Sequence, residues 1–159
     1  MGYLSSKSQI YVVYRGSTSI IDWLDDLDAI LTTYPSCSKC EVHKGFYDAE
    51  QAVIASVLSN VQNLIKRFPS YEVVVSGHSL GAALATLTAM DFLSAGITNV
   101  RLFHFGSPRV GNTAFANYAS SKLIDHNRNT HYKDIVPHCP MHERFTHISG
   151  NYTLCTYCT

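Results

Sequence analysis

Neither sign of charge is in surplus in this sequence: 12 lysines and arginines balance 12 aspartates and glutamates, so the formal net charge is zero. A protein without a basic stripe has nothing to neutralise a phosphate backbone, which removes nucleic acid from the expected partners. Long apolar runs are missing as well. None approaches the ~20 residues that a membrane-spanning helix needs, and Met1 to Gln9 lacks the apolar stretch of a secretory leader, so neither a transmembrane segment nor a signal peptide is expected in these residues. Repeats and low-complexity tracts are absent. A chain of 159 residues, 46% of them hydrophobic, then fits one domain, residues 1–159, with one core.

The five cysteines lack the arrangement of a zinc ribbon, because Cys37-x-x-Cys40 and Cys155-x-x-Cys158 stand far apart in the chain with Cys139 alone between them. No metal is expected. A thioredoxin-like pair should open a helix after a strand, whereas Cys37 lies in the turn-like stretch Pro35-Ser36-Cys37-Ser38-Lys39-Cys40. A local loop disulfide suits that stretch better. It implies an oxidising compartment, with which the sequon Asn151-Tyr152-Thr153 is compatible.

What is present is an alternation of strands and helices. Ile10 to Tyr14 is β-branched and aromatic and ends in Arg15-Gly16-Ser17, a strand followed by a loop. Phe46, Ala49, Val53, Val57, Val61, Leu64 and Phe68 recur every three or four residues, one face of a long helix that Pro69 stops. Val73 to Ser76 reads as a strand and Leu80 to Ala95 as a helix with Gly96 to cap it. Val100 to Phe105 is a further strand, Asn112 to Ile124 an amphipathic helix, and Thr130 to Tyr132 the start of a last short strand before Asp134. Such alternation implies an α/β fold, a mostly parallel sheet with helices on both faces.

Gly77-His78-Ser79-Leu80-Gly81 has the form G-x-S-x-G and lies between the Val73-Val74-Val75 strand and the helix from Leu80. A serine on so sharp a strand-to-helix turn is held in a strained conformation, and glycines two residues to either side remove the side chains that would collide. Its hydroxyl is thereby presented above the sheet. The helix that starts at Leu80 leaves that residue's N–H unpaired and aimed at the same spot, where it can hold an oxyanion. Asp134, at a strand end in a segment stiffened by Pro137, follows the serine in the order used by Ser…Asp…His triads, although alone it reads more readily as a solvated turn aspartate. Ile20, Ile21, Trp23, Leu24 and Leu27 form an apolar stripe beside Asp22, Asp25, Asp26 and Asp28, which suits a packed core helix or a lid that opens at a lipid surface.

The run Gly77-His78-Ser79-Leu80-Gly81-Ala82-Ala83-Leu84-Ala85 resembles the nucleophile elbow of the class 3 lipases, the family of the filamentous-fungal triacylglycerol lipases. Other segments resemble the family in the same order: Tyr14-Arg15-Gly16-Ser17 its oxyanion loop, Ser19 to Leu24 its lid, Cys37 to Cys40 with His43-Lys44-Gly45-Phe46 its disulfide loop and helix entry, then Phe105 to Asn112 and Asp134-Ile135-Val136-Pro137. The resemblance runs from about Tyr3 to about Pro137 and implies a partial α/β-hydrolase, without the family's first and last elements. It also implies Ser79 as nucleophile, Asp134 as triad acid, Ser17 and Leu80 as oxyanion donors, Ile20, Ile21, Trp23 and Leu24 as lid, and a Cys37–Cys40 disulfide. The implied protein is secreted, needs no cofactor, and takes a lipid or other carboxylic ester at a lipid–water interface.

The triad's histidine is where this sequence departs from the family. In class 3 lipases it lies tens of residues beyond the Asp-Ile-Val-Pro segment, and of the histidines after Asp134 the fallback base is His147. His78 is expected as a packed neighbour of Ser79, His43 and His104 as satisfied structural residues, and His126, His131 and His142 on loops or the surface. Two functions therefore stand side by side: a serine hydrolase of lipid esters that works through an acyl-serine, and a catalytically impaired relative that binds acyl chains.

Overall fold

A computed structural model describes residues 1–17, 29–131, 133–149 and, as backbone, 151–155. The expected lid residues Ile20, Ile21, Trp23 and Leu24 lie outside these, as does Cys158. Eight strands are present among the described residues: β1 (Gly2–Leu4), β2 (Gln9–Tyr14), β3 (Leu31–Thr33), β4 (Glu41–His43), β5 (Glu72–His78), β6 (Val100–Phe105), β7 (His126–His131) and β8 (Asn151–Cys155). Three α-helices accompany them, α1 (Lys44–Arg67), α2 (Leu80–Ser94) and α3 (Thr113–Lys122).

Six strands form one sheet in the order β1-β2-β5-β6-β7-β8, and β3 and β4 pair separately. Only β1 runs antiparallel in the large sheet, so the fold is α/β with a mostly parallel sheet. Parallel neighbours need a crossover, and the helices supply it: α1 between β4 and β5, α2 between β5 and β6, α3 between β6 and β7. The register sets Tyr14 opposite Gly77 and His78 opposite Phe105, which brings the C-terminal ends of β2, β5 and β6 level.

α2 is apolar almost all round, and it is buried almost all round, from Gly81 through Ala85 and Leu87 to Phe92. Val12, Val73, Val75 and Leu102 from the sheet share its core with Phe46, Ile54 and Val61 of α1 and Phe115, Ala116 and Ala119 of α3. Helix ends are closed locally. Asn112 accepts the Phe115 N–H at 2.9 Å at the start of α3, and His43 Nδ1 accepts the Phe46 N–H at 3.3 Å at the start of α1. Gly96 takes φ +83° just after α2, as a residue ending a helix there requires.

Two expectations change. The buried stripe of α1 is Phe46, Glu50, Ile54 and Val61, while Ala49 and Val53 face solvent, so the helix is rotated by part of a turn from the face that the apolar pattern marks. The last expected strand begins at His126 and not at Thr130. Its sequence His-Asn-Arg-Asn-Thr-His carries no apolar alternation, and pairing on both edges, to β6 and β8, makes it a strand.

Candidate active site

Ser79 sits between the last residue of β5 and the first of α2 with φ 55° and ψ −125°, a left-handed conformation that costs a non-glycine residue about 1–3 kcal/mol. The surroundings impose it. The Ser79 N–H donates to Phe105 O at 3.0 Å, and Ser79 O accepts the Ala82 N–H at 2.9 Å. The two elbow glycines are required by close approach: a β-carbon on Gly77 would stand 2.1 Å from Gly81 O, and one on Gly81 would stand 2.5 Å from Tyr14 O. Ser79 itself is fully buried, and its hydroxyl has no hydrogen-bond partner among the described residues.

The loop after β2 lies directly against this turn. A β-carbon on Gly16 would be 2.7 Å from His78 O and 3.4 Å from Ser79 Cβ, so the backbone leading into Ser17 passes over the serine. Leu80 is the first residue of α2, where a helix leaves its N–H without an intrahelical acceptor. Ser17 and Leu80, expected as a pair, thus stand on two chain segments that meet at Ser79.

Asp134 arrives from a different part of the chain. Its amide donates to His131 O at 3.1 Å, and its Oδ1 accepts the Val136 N–H at 3.0 Å, which locks the carboxylate onto the turn that Val136–His138 completes. The other oxygen, Oδ2, lies over Gly106, where a β-carbon would stand 2.6 Å from it and 3.4 Å from His78 Nε2. Gly106 has φ +54° and follows Phe105, the residue that holds the Ser79 amide. Asp134 and the end of β5 therefore meet across one glycine, a role that sequence reasoning missed; the sign was its place in Phe105-Gly106-Ser107-Pro108.

The histidines depart from expectation. His78 is exposed and not a packed neighbour, with its ring between Gly16 and Gly106. His147 Nε2 is bonded to Pro137 O, and no imidazole bonds to Ser79 Oγ among the described residues. His104, expected to be satisfied, is 1% exposed and neither ring nitrogen has a hydrogen-bond partner among the described residues. His126, expected at the surface, is buried, its Nδ1 against Leu123 O and its ring 5.9 Å from that of His104. The cause is the course of β7, which carries His126 inward beside β6.

Cys37 and Cys40 form a disulfide with their α-carbons 5.5 Å apart, and Lys39 takes φ 63° in the turn between them. Cys139 is a buried free thiol. Among the described residues no group of three or more histidine, cysteine, aspartate or glutamate side chains could hold a metal ion. No helix among them is long and apolar enough to cross a membrane.

Residues 11–144 match the family pattern described as Lipase (class 3). The chain is 44% identical over 139 residues to a lipase of Rhizomucor miehei, which covers 85% of this chain and 38% of that protein. It is 34% identical over 155 residues to the secreted mono- and diacylglycerol lipase A of Penicillium cyclopium, 95% of this chain and 50% of the relative. Among solved structures, the Rhizomucor miehei triacylglyceride lipase superposes with a TM-score of 0.90 at 41% identity, over 94% of this chain and 58% of that one. A triacylglycerol lipase whose catalytic centre is a serine protease triad superposes with a TM-score of 0.88 at 42% identity, again over 94% of this chain and 58% of that one. The chain thus spans between about two fifths and three fifths of the length of these relatives.

Proposed function

The chain belongs to the class 3 lipase family, and from that premise we propose that it carries the nucleophile, acid and oxyanion loop of a serine hydrolase that cleaves carboxylic esters of lipids. The observation that carries the proposal is the strained, fully buried Ser79 at φ 55°, abutted by the Gly16 loop, with Asp134 meeting the preceding residue His78 across Gly106. Strain of this kind is retained where a function uses it.

In the reaction, Ser79 Oγ attacks the ester carbonyl carbon and its proton passes to an imidazole base. The carbonyl oxygen becomes an oxyanion, held by the N–H groups of Leu80 and Ser17. The C–O bond to the alcohol breaks as the imidazolium returns its proton to the leaving oxygen, which leaves an acyl-serine. Water then repeats the cycle, with the base accepting its proton, and releases the acid. Asp134 orients the imidazole and stabilises its charged form. His147, the fallback base, gives its Nε2–H to Pro137 O, which leaves Nδ1 as the nitrogen that could accept the Ser79 proton.

Substrate class follows from the relatives, named as lipase and as mono- and diacylglycerol lipase. The proposed site of action is a lipid–water interface, with Ile20, Ile21, Trp23 and Leu24 as the apolar face of a lid. The Cys37–Cys40 disulfide and the secreted relative support an extracellular location. The second reading, acyl-chain binding without turnover, is favoured by the lack of an imidazole bonded to Ser79 Oγ among the described residues.

A fluorophosphonate probe followed by peptide mapping tests the assignment. Label on Ser79, lost in Ser79→Ala, is expected. Label that persists in Ser79→Ala overturns the nucleophile, and a chain that takes up labelled fatty acid but never the probe favours the second reading.

A further inference from the structure

Glu50 lies in the middle of the buried stripe of α1, between Phe46 and Ile54, and is 0% exposed. A carboxyl in such a place costs several kcal/mol unless its oxygens are hydrogen-bonded, on the order of the penalty for any buried ion. Both oxygens are used. Oε1 accepts from Thr88 Oγ1 at 3.1 Å, and Oε2 accepts from Gln51 Nε2 at 2.9 Å.

Thr88 has one proton, and with that proton given to Glu50 its oxygen is left to accept. The phenol of Tyr14 stands 2.7 Å away and is therefore the donor. A directed chain results, from Tyr14 to Thr88 to Glu50, through three elements: β2, α2 and α1. Tyr14 is the last residue of β2, its carbonyl oxygen lies against Gly81, and the next three residues are Arg15, Gly16 and Ser17.

We propose that Glu50 is a positioning residue for the oxyanion loop, acting through Thr88 and Tyr14, so that its ionisation state sets where Gly16 and Ser17 stand relative to Ser79. This rests on the reading of the Gly16–Ser17 loop as an oxyanion loop. Ionised Glu50 draws the Thr88 proton and leaves Thr88 as acceptor for Tyr14. Glu50 protonated on Oε1 becomes a donor to Thr88, which then turns its own proton toward Tyr14 and reverses the chain. Tyr14 must find another acceptor or shift, and its backbone enters the loop directly.

The groups facing this carboxyl come from every packed element. Asp91 of α2 shares Gln51 Nε2 with it, at 3.3 Å, and accepts from Tyr34 Oη at 2.9 Å. Tyr47 of α1 and Tyr14 of β2 lie within its field, and Tyr118 of α3 lies near Tyr34. No ion pair involves Glu50 or Asp91 among the described residues. Burial, and after it the neighbouring Asp91 carboxylate, push the Glu50 carboxyl up to about 7. The switch would thus fall in the neutral range.

Amide resonances of Gly16 and Ser17, followed from pH 5 to 9 in the 159-residue chain, test the proposal without relying on turnover. Because the His78 imidazole lies beside Gly16, the series is recorded in a His78→Asn background. Both amides should shift with a common midpoint near 7, and the shift should vanish in Glu50→Gln and in Tyr14→Phe. Tyr14→Phe keeps the ring and the fold and removes only the relay. Amides that do not titrate, or that titrate equally in both variants, overturn the proposal. If they titrate as expected while Ser79 takes no fluorophosphonate, the hydrolase reading fails and the relay stands.

Discussion

His147 gives its Nε2–H to the carbonyl oxygen of Pro137, the residue at the centre of the short helical turn that follows Asp134. Burial first, and the Arg128 and Arg109 charges after it, push this imidazole down to about 4 against the lift from the Pro137 bond, so it is neutral at pH 7 and donates as the Nε2–H tautomer. Arg109 binds the same stretch from the other side, its amide donating to Cys139 O at 2.8 Å and its Nη1 to Pro140 O at 3.4 Å. His147 and Arg109, from separate segments, thus hold the stretch that follows Asp134.

His147→Ala should therefore lower stability by about 1–3 kcal/mol, the range for leaving a buried carbonyl unpaired, and slow Ser79 labelling only through a looser Asp134. Thermal denaturation and the labelling rate are measured together. A variant that keeps its melting temperature yet loses labelling altogether would instead make His147 the base.

Gly106→Ala should strike the site harder than the fold. The substitution adds φ strain of about 1–2 kcal/mol and places a methyl group 2.6 Å from Asp134 Oδ2, so the carboxylate must withdraw from above the end of β6. Labelling of Ser79 in the whole protein should fall by at least about tenfold, on the order expected for a misplaced triad member. Labelling unchanged in a stably folded variant would remove Asp134 from the acid role.

What the sequence disclosed depended on how local the signal was. The elbow is local: β5, Ser79 and α2 are adjacent in the chain, and Gly77 and Gly81 are placed by a clash within a few residues and with the neighbouring strand end. The extents of β6 and α2 follow from short-range apolar pattern and capping. Asp134 was legible as a candidate, but its meeting with His78 over Gly106 exists only in three dimensions. The rotation of α1 went unseen because its stripe includes Glu50, which no hydrophobic count would select. β7 was truncated for the converse reason, a polar strand defined by its neighbours' hydrogen bonds.

Trp23→Ala should reduce hydrolysis of emulsified lipid by the whole protein more than hydrolysis of a soluble short-chain ester. A large aromatic side chain on an apolar stripe contributes burial of ~2–3 kcal/mol only when it finds an apolar partner, which an emulsion supplies and a monomeric substrate does not. Equal losses on both substrates would assign the stripe to the core.

His104 and Glu50 should give stability opposite dependences on pH. His104 is 1% exposed with neither nitrogen bonded among the described residues; burial, then the His126 and Arg128 charges, push it down to about 3 from an ordinary 6.5. Between those values the unfolded chain holds a proton that the folded one refuses, so stability falls as the pH falls through this window, by at most about 1.4 kcal/mol per unit. Glu50 has the reverse sign. Its folded value of about 7 exceeds the ordinary 4.5, so its contribution is fully present below 4.5 and is lost as the pH rises toward 7. Other groups titrate in the same range, hence the informative quantity is a difference from the parent chain. Urea denaturation midpoints at half-unit steps from pH 3.5 to 8 should show His104→Val gaining on the parent as the pH drops below 6.5, because valine removes the refused proton and suits a strand position in β6. Glu50→Gln should gain on the parent as the pH rises from 4.5 to 7. A His104→Val difference that stays constant with pH would mean that the folded imidazole takes up its proton as readily as the unfolded one, and would overturn the downward shift.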